Sequence, residues 1–282
     1  MARRAAFVDT LRKNEAPILL VDGGDFFHRV NKLESIVSWR EMERLGYAAV
    51  TLGEVEFERW ELAESLLTHT DLPVVCTNVE RQTASGWELV GNRYLIVPVN
   101  GVRVGILSVI DSQLSNSVIE KAGDRVRLLP AMETTREVAR ILRKKSDVVV
   151  LLAHLDYKAM EQYASSLPEV DVILGGHMTR KDTGPKKIAD TIINRSGTRG
   201  QHVCITRLVV SPQNEVVDFG GLNLTLTADY PEDPVVAELA QTAKDESIRL
   251  RRAEASKKLQ IKKQKREELE KRQREGKKPE RR

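Results

Sequence analysis

The feature that most constrains the fold is a series of short, β-branched apolar runs separated by segments with helical periodicity. "PILLVDGGD", "YAAVTLG", "LPVVCTNV", "RYLIVPV", "VRVGILSVI", "DVVVLLAHLD", "VDVILGGH", "DTIINRSG" and "VCITRLVV" occur in that order. Runs that are apolar without strict alternation read as strands covered on both faces. Between them, residues 35–45, 58–68, 131–145 and 159–167 place apolar side chains at helical spacing, which predicts helices laid over buried sheets. Two places break the alternation. Asn100-Gly101 sits between two apolar runs as a hairpin signal, and residues 212–214 turn a second pair of runs back on each other. Antiparallel hairpins inside a β-α chain make the sheets mixed, so the expected class is α/β.

A chain of 282 residues buries a full single-domain core, and a shift in composition near Tyr230-Pro231 divides it. Residues 1–230 carry the strand and helix pattern; residues 231–282 read as a basic helical or disordered tail. From Lys244 onward 17 Lys/Arg stand against 8 Asp/Glu, so the tail holds +9 against a whole-chain charge of +4 and the remainder is acidic. Ile248, Ala255 and Leu269 keep a heptad spacing that Lys262 breaks, which argues against a sustained coiled coil and for a solvated helix that frays. Its cations suit nucleic-acid phosphates, but with no aromatic residue after Tyr230 it encodes no base stacking. A solvated charged extension is the first reading and nucleic-acid contact the second. The apolar face is too thin for a membrane-surface helix, and no apolar run reaches the roughly 18 residues a membrane span needs.

The N-terminal stretch lacks the apolar segment of a secretory signal, so the chain as written is expected in the cytoplasm. If Met1 is internal to a longer reading frame, an extracytoplasmic location follows instead. Cys76 and Cys204 lie far apart within apolar runs and are expected to be two buried free thiols rather than a disulfide.

Four residues that carry chemistry end strand-like runs: Asp25 after "LLVDGG", Glu54 after "VTLG", His154 after "VVLLA" and His177 after "VILGG". In layered α/β folds strand ends and their loops build the site, so these side chains are expected to converge. Two imidazoles with carboxylates form a ligand set for a divalent ion such as Mn, Zn or Fe. Alone, each histidine reads as an ordinary loop residue; together they make a metal-site candidate. His28 lies near Asp25 but reads as a surface or packing residue, His69 and His202 as loop histidines, and Trp60 and Trp87 as core.

Taken in order, "VDGGDFF", "TLGEVEFE", "CTNV", "LLAHLD" and "DVILGGH" resemble the calcineurin-like metallophosphoesterases, in their 5'-nucleotidase and UDP-sugar hydrolase branch. The resemblance runs from about Ala2 to about Leu226. It implies a four-layer αββα sandwich with two metal ions at the strand ends. It also implies that Asp25 matches the metal-bridging Asp of a GD motif, His154 the strand-end ligand and His177 the first His of GH-x-H. Asn78 matches an Asn beside the active site of nucleotidase relatives, where it contributes to substrate binding. Gly197 and Gly200 match a late Gly-x-x-Gly turn.

The departures are as informative. No D-x-H motif stands upstream of Asp25, where "MARRAAFVD" resembles the helix that follows that motif in relatives. GNHE has become Gly53-Glu54-Val55-Glu56, and GH-x-H has become His177-Met178-Thr179. The losses fall on one ion's ligands, while Asp25, His154 and His177 of the other remain, with Glu54 where an Asn was. One ion rather than two is therefore expected. A two-metal site clamps the attacking and leaving oxygens together, and Val55 has no proton to give, so a reduced phosphoester hydrolase acting on a phosphorylated small molecule stands beside a non-catalytic binding or scaffold protein.

Overall fold

The computed structural model describes residues 1–14, 17–110, 120–177, 182–198 and 200–275. Its strands are β1 (Val21–Asp22), β2 (Ala49–Val50), β3 (Val79–Thr83), β4 (Gly86–Leu89), β5 (Leu95–Val99), β6 (Val102–Ile110) and β7 (Val126–Leu128). They continue with β8 (Val148–His154), β9 (Val172–Gly175), β10 (Lys186–Ile188), β11 (Thr191–Arg195), β12 (His202–Val210) and β13 (Val216–Thr225).

Six strands form one sheet in the order β10-β11-β9-β8-β6-β5, with β6, β8, β9 and β11 parallel and the two outermost strands antiparallel. All seven residues of β8 are buried. Alternate side chains of a strand point to opposite faces. Val149, Leu151 and Ala153 accordingly pack among helices Ala131–Arg143 and Tyr157–Ser166, while Val148, Val150 and Leu152 meet Ala49 and Val75 of a second layer. That layer contains the parallel pair β1-β2, extended by single bridges to Val74 and from Val75 to Asn92. The β12-β13 hairpin packs against the same inner cluster through Leu208, Val210, Val216 and Phe219. A third cluster joins helices Ala2–Asn14, Lys32–Arg44, Glu54–Glu58 and Trp60–Leu67 through Val8, Trp39, Phe57 and Trp60. Three apolar interfaces separate four layers, so the αββα sandwich with mixed sheets is what the chain builds.

The local signals act as the residues dictate. Asn100 and Gly101 both take positive φ, 49° and 85°, the two-residue turn that suits the twist of β5 and β6. Helix Lys32–Arg44 starts ahead of its apolar pattern because the Asn31 side chain accepts from the N–H groups of Leu33 and Glu34. Asp156 caps Tyr157–Ser166 through the N–H of Ala159. The helix expected over 58–68 is two pieces, Glu54–Glu58 and Trp60–Leu67, broken at Arg59.

The tail forms the expected charged helix, and its first turns pack into the body. Pro234–Glu275 is one continuous helix of 42 residues, about 63 Å long at 1.5 Å per residue. Val236 joins the cluster of the outer helices, and Ala243 and Ser247 are buried beside it. The first turns are thus core, and the solvated part begins beyond them. Neither cysteine is in a disulfide, as expected, but Cys204 is only half-buried. Its Sγ–H donates to the Arg195 carbonyl at 3.1 Å. Among the described residues no helix is long and apolar enough to cross a membrane.

Candidate metal centre

The site lies across the seam between the two sheets. Asp25 and Glu54 come from the loops after β1 and β2; His154 ends β8 and His177 follows β9. On the six-stranded side placement follows from strand parity, since His154 continues the Val150, Leu152 row that faces the other sheet.

The other side is placed by close backbone approach and by one buried acid. A Cβ on Gly23 would lie 2.7 Å from the Gly176 Cα, so glycine at both positions lets the loop after β1 touch the loop after β9. A Cβ on Gly53 would lie 2.4 Å from the His154 ring and 2.5 Å from Asp25 Oδ1. Asp25 itself takes a left-handed φ of 60°, which Asp tolerates better than most residues. It is held there because its N–H donates to Glu56 Oε2 at 2.9 Å and its Oδ1 accepts from the Val55 N–H at 2.9 Å. Glu56 also accepts from the N–H of Gly53 at 2.8 Å and of Phe27 at 2.7 Å. Burial and the Asp25 carboxylate push the Glu56 acid up to about 8, against the pull of those three donors. Glu56 is therefore the hub of the carboxylate half. The sequence signal for it was the Gly53-x-x-Glu56 spacing of a capping box, with the acid three residues after the N-cap.

His154 is fully buried, and its Nδ1 lies 2.9 Å from the Gly23 carbonyl oxygen, which accepts only an N–H. That bond assigns the proton to Nδ1 and leaves Nε2 as a lone pair in the neutral ring. Nε2 then faces Glu54 Oε2 at 3.3 Å and Asp25 Oδ1 at 3.7 Å. His177 Nδ1 sits 2.8 Å from the same Glu54 oxygen, and the two imidazole centroids are 4.9 Å apart. The Glu54 contact raises the His177 imidazole. Acceptors that face one another across so short a gap repel unless positive charge, a proton or a cation, stands between them. One ligand atom from each of Asp25, Glu54, His154 and His177 lies within 4.8 Å of every other, so the four residues fit one divalent ion. The Gly23 carbonyl behind His154 stands where an outer partner would orient the imidazole toward an ion.

The structure brings these four residues together, and the other candidates make the following contacts. Asn78 is fully buried, and its amide donates to the Ile110 carbonyl at 2.9 Å while its oxygen accepts the Ile110 N–H at 3.1 Å. Its side chain fixes the end of β6. Val55 packs in the apolar cluster of the outer helices and presents only its N–H to the site. His28 Nδ1 accepts from the Asn31 N–H at 3.0 Å, a turn contact. The His69 ring lies 3.3 Å from the Ser65 carbonyl and His202 3.1 Å from Thr225 Oγ1. Trp60 stacks on Phe57 in the core, whereas Trp87 lies on a hairpin with Arg127 over its ring. Gly197 and Gly200 both take positive φ, as a turn requires. Met178 and Thr179 lie outside the described residues.

The chain is 27% identical to snake venom 5'-nucleotidase of Gloydius brevicauda over 63% of its own length and 31% of that protein's. Among solved structures, the calcineurin-like phosphoesterase YfkN from Bacillus subtilis superposes with a TM-score of 0.72 at 21% identity, over 89% of this chain and 90% of that one. The 5'-nucleotidase precursor from Thermus thermophilus gives 0.74 at 22%, over 88% of this chain and 53% of that one. The fold is that of the calcineurin-like phosphoesterases and 5'-nucleotidases, and the sequence is similar to 5'-nucleotidases. No protein-family profile matches the chain, and its match to three curated 5'-nucleotidases spans about a third of their length.

Proposed function

We propose that this metallophosphoesterase domain holds a single divalent ion, Mn, Zn or Fe, on Asp25, Glu54, His154 and His177, and hydrolyses a phosphoester of a small molecule at a reduced rate. The observation that carries the reading is the His154 geometry. Its Nδ1–H is committed to Gly23, so Nε2, which faces two carboxylates in a buried seam, is the ring atom available to an ion. A divalent cation bound there supplies a Lewis acid for a phosphoryl oxygen and lowers the pKa of a bound water. The chain contributes two ionised carboxylates that offset the ion's charge and one imidazole locked in the ligating tautomer. It contributes no imidazole at position 55, and general acid–base assistance is typically worth about 10²–10⁴-fold, so slow turnover is expected. Metal content by elemental mass spectrometry, read beside turnover of an aryl phosphate by Mn-, Zn- and Fe-loaded protein, tests this. About one ion per chain, lost in Asp25→Asn together with turnover, supports it; protein that takes up no ion refutes it.

The burial of Val55 favours a second reading, in which the domain binds a phosphorylated ligand without turning it over. Ligand-dependent thermal stabilisation with no turnover above the Asp25→Asn level would select it.

A further inference from the structure

Beyond its anchored turns, the helix Pro234–Glu275 presents a polybasic arm. Residues 249–266 hold nine Lys/Arg and one Glu, Glu254, and those with described side chains are exposed. This segment is about 27 Å long. At 100° per residue, Lys258 and Lys265 stand opposite Arg249 and Lys263, and Lys257 and Arg266 lie on the two flanks between them. Cations therefore surround the helix. Its exposed apolar residues are also split: Ile248 and Leu259 share one side, and Leu250 and Ile261 the other. A flat anionic lipid surface engages one side of such a helix and needs a single apolar face, which is lacking. A duplex groove is different. The major groove admits an α-helix and has a phosphate chain along each wall, so cations on opposite sides are both used.

We propose that residues 249–266 form a docking arm for double-stranded DNA, bound through backbone phosphates without sequence preference. Charge complementarity supplies the affinity, since cations along the helix meet about one phosphate per 1.7 Å of duplex axis. The arm has no aromatic side chain for stacking bases, which sets duplex above single strand. The first turns, fixed by Val236 and Ala243, hold the arm on the phosphoesterase body.

The test is fluorescence anisotropy of the full chain with a labelled 30-base-pair duplex of mixed sequence across a salt series. The same measurement is made on a Lys257→Gln, Lys258→Gln, Lys262→Gln, Lys263→Gln variant whose circular dichroism shows an intact helix. The expected result is binding that weakens linearly in log–log with salt, does not change with duplex sequence, and drops at least tenfold in the variant. The salt slope should fall by about 3 to 4, near 0.9 for each phosphate that is no longer neutralised. Unchanged affinity in the variant, no binding at 50 mM salt, or retention on phosphatidylserine vesicles under conditions where the duplex is not bound would each overturn the proposal.

Discussion

His154 stands at the end of a seven-residue strand buried on both faces, whereas Asp25 and Glu54 leave a pair of two-residue strands and rely on glycine contacts and a single acid, Glu56. On the imidazole side the ladder of β6, β8 and β9 sets the position, and many small contributions share the task. On the carboxylate side a few hydrogen bonds carry it. Sequence changes on that side therefore move ligands directly, and it is on that side that the loop Gly53-Glu54-Val55-Glu56 departs from the family's GNHE. Glu56 and Gly53 stay at the two ends of the loop because they build it; positions 54 and 55 between them changed.

Substitutions at these positions separate the two modes of support. The largest effect is expected for Glu56→Ala, which orphans the N–H groups of Asp25, Gly53 and Phe27; at about 1–3 kcal/mol for each unsatisfied buried donor, stability should fall by at least ~3 kcal/mol. Urea unfolding measures the loss, and metal content should vanish with it. If stability falls and metal content persists, Glu56 is not the hub of the carboxylate half. Gly53→Ala comes next, because its new Cβ meets His154 and Asp25 at sub-contact distance, a strain of about 1–3 kcal/mol in a packed region. A metal titration should show ion binding reduced more than the stability change alone explains.

The two histidines then split the imidazole side. His154→Ala removes a buried ring and its bond to Gly23, so about 2 kcal/mol of stability should go together with the metal. His177, a third exposed, should lose metal affinity at least tenfold on mutation to Ala, with stability of the metal-free chain changing by less than ~0.5 kcal/mol. Equal destabilisation by both substitutions would remove the distinction. The smallest effect on the metal is expected for Asn78→Ala: stability should fall by at least ~2 kcal/mol, from the two unpaired backbone groups of Ile110, with metal content unchanged. A raised KM for an aryl phosphate at unchanged stability would instead assign Asn78 a part in substrate binding.

Much of this was legible in the residues. Asn100-Gly101 specified its hairpin because both positions accept positive φ, and strand-end placement alone nominated Asp25, Glu54, His154 and His177. Less legible was anything that depended on who touches whom. Glu56 reads as a surface acid of an amphipathic turn until Asp25 and Phe27 are seen to aim their N–H groups at it. Gly23 and Gly176 are distant in sequence, and no local signal shows that they meet. Val236 and Ala243 are sparse apolar residues in a charged helix, too few to reveal a docked face, so the tail read as detached from a body into which its first turns are packed.

The seam placement of the ligand set has a mechanical side. Two of the four candidate ligands belong to each sheet, so a slide of one sheet past the other changes the distances of Asp25 and Glu54 from His154 and His177 together. Ion binding and inter-sheet registry would then be linked, and an ion in the seam would act as a rivet: if one is bound, removing it with a chelator should loosen the whole sandwich, not the loops alone.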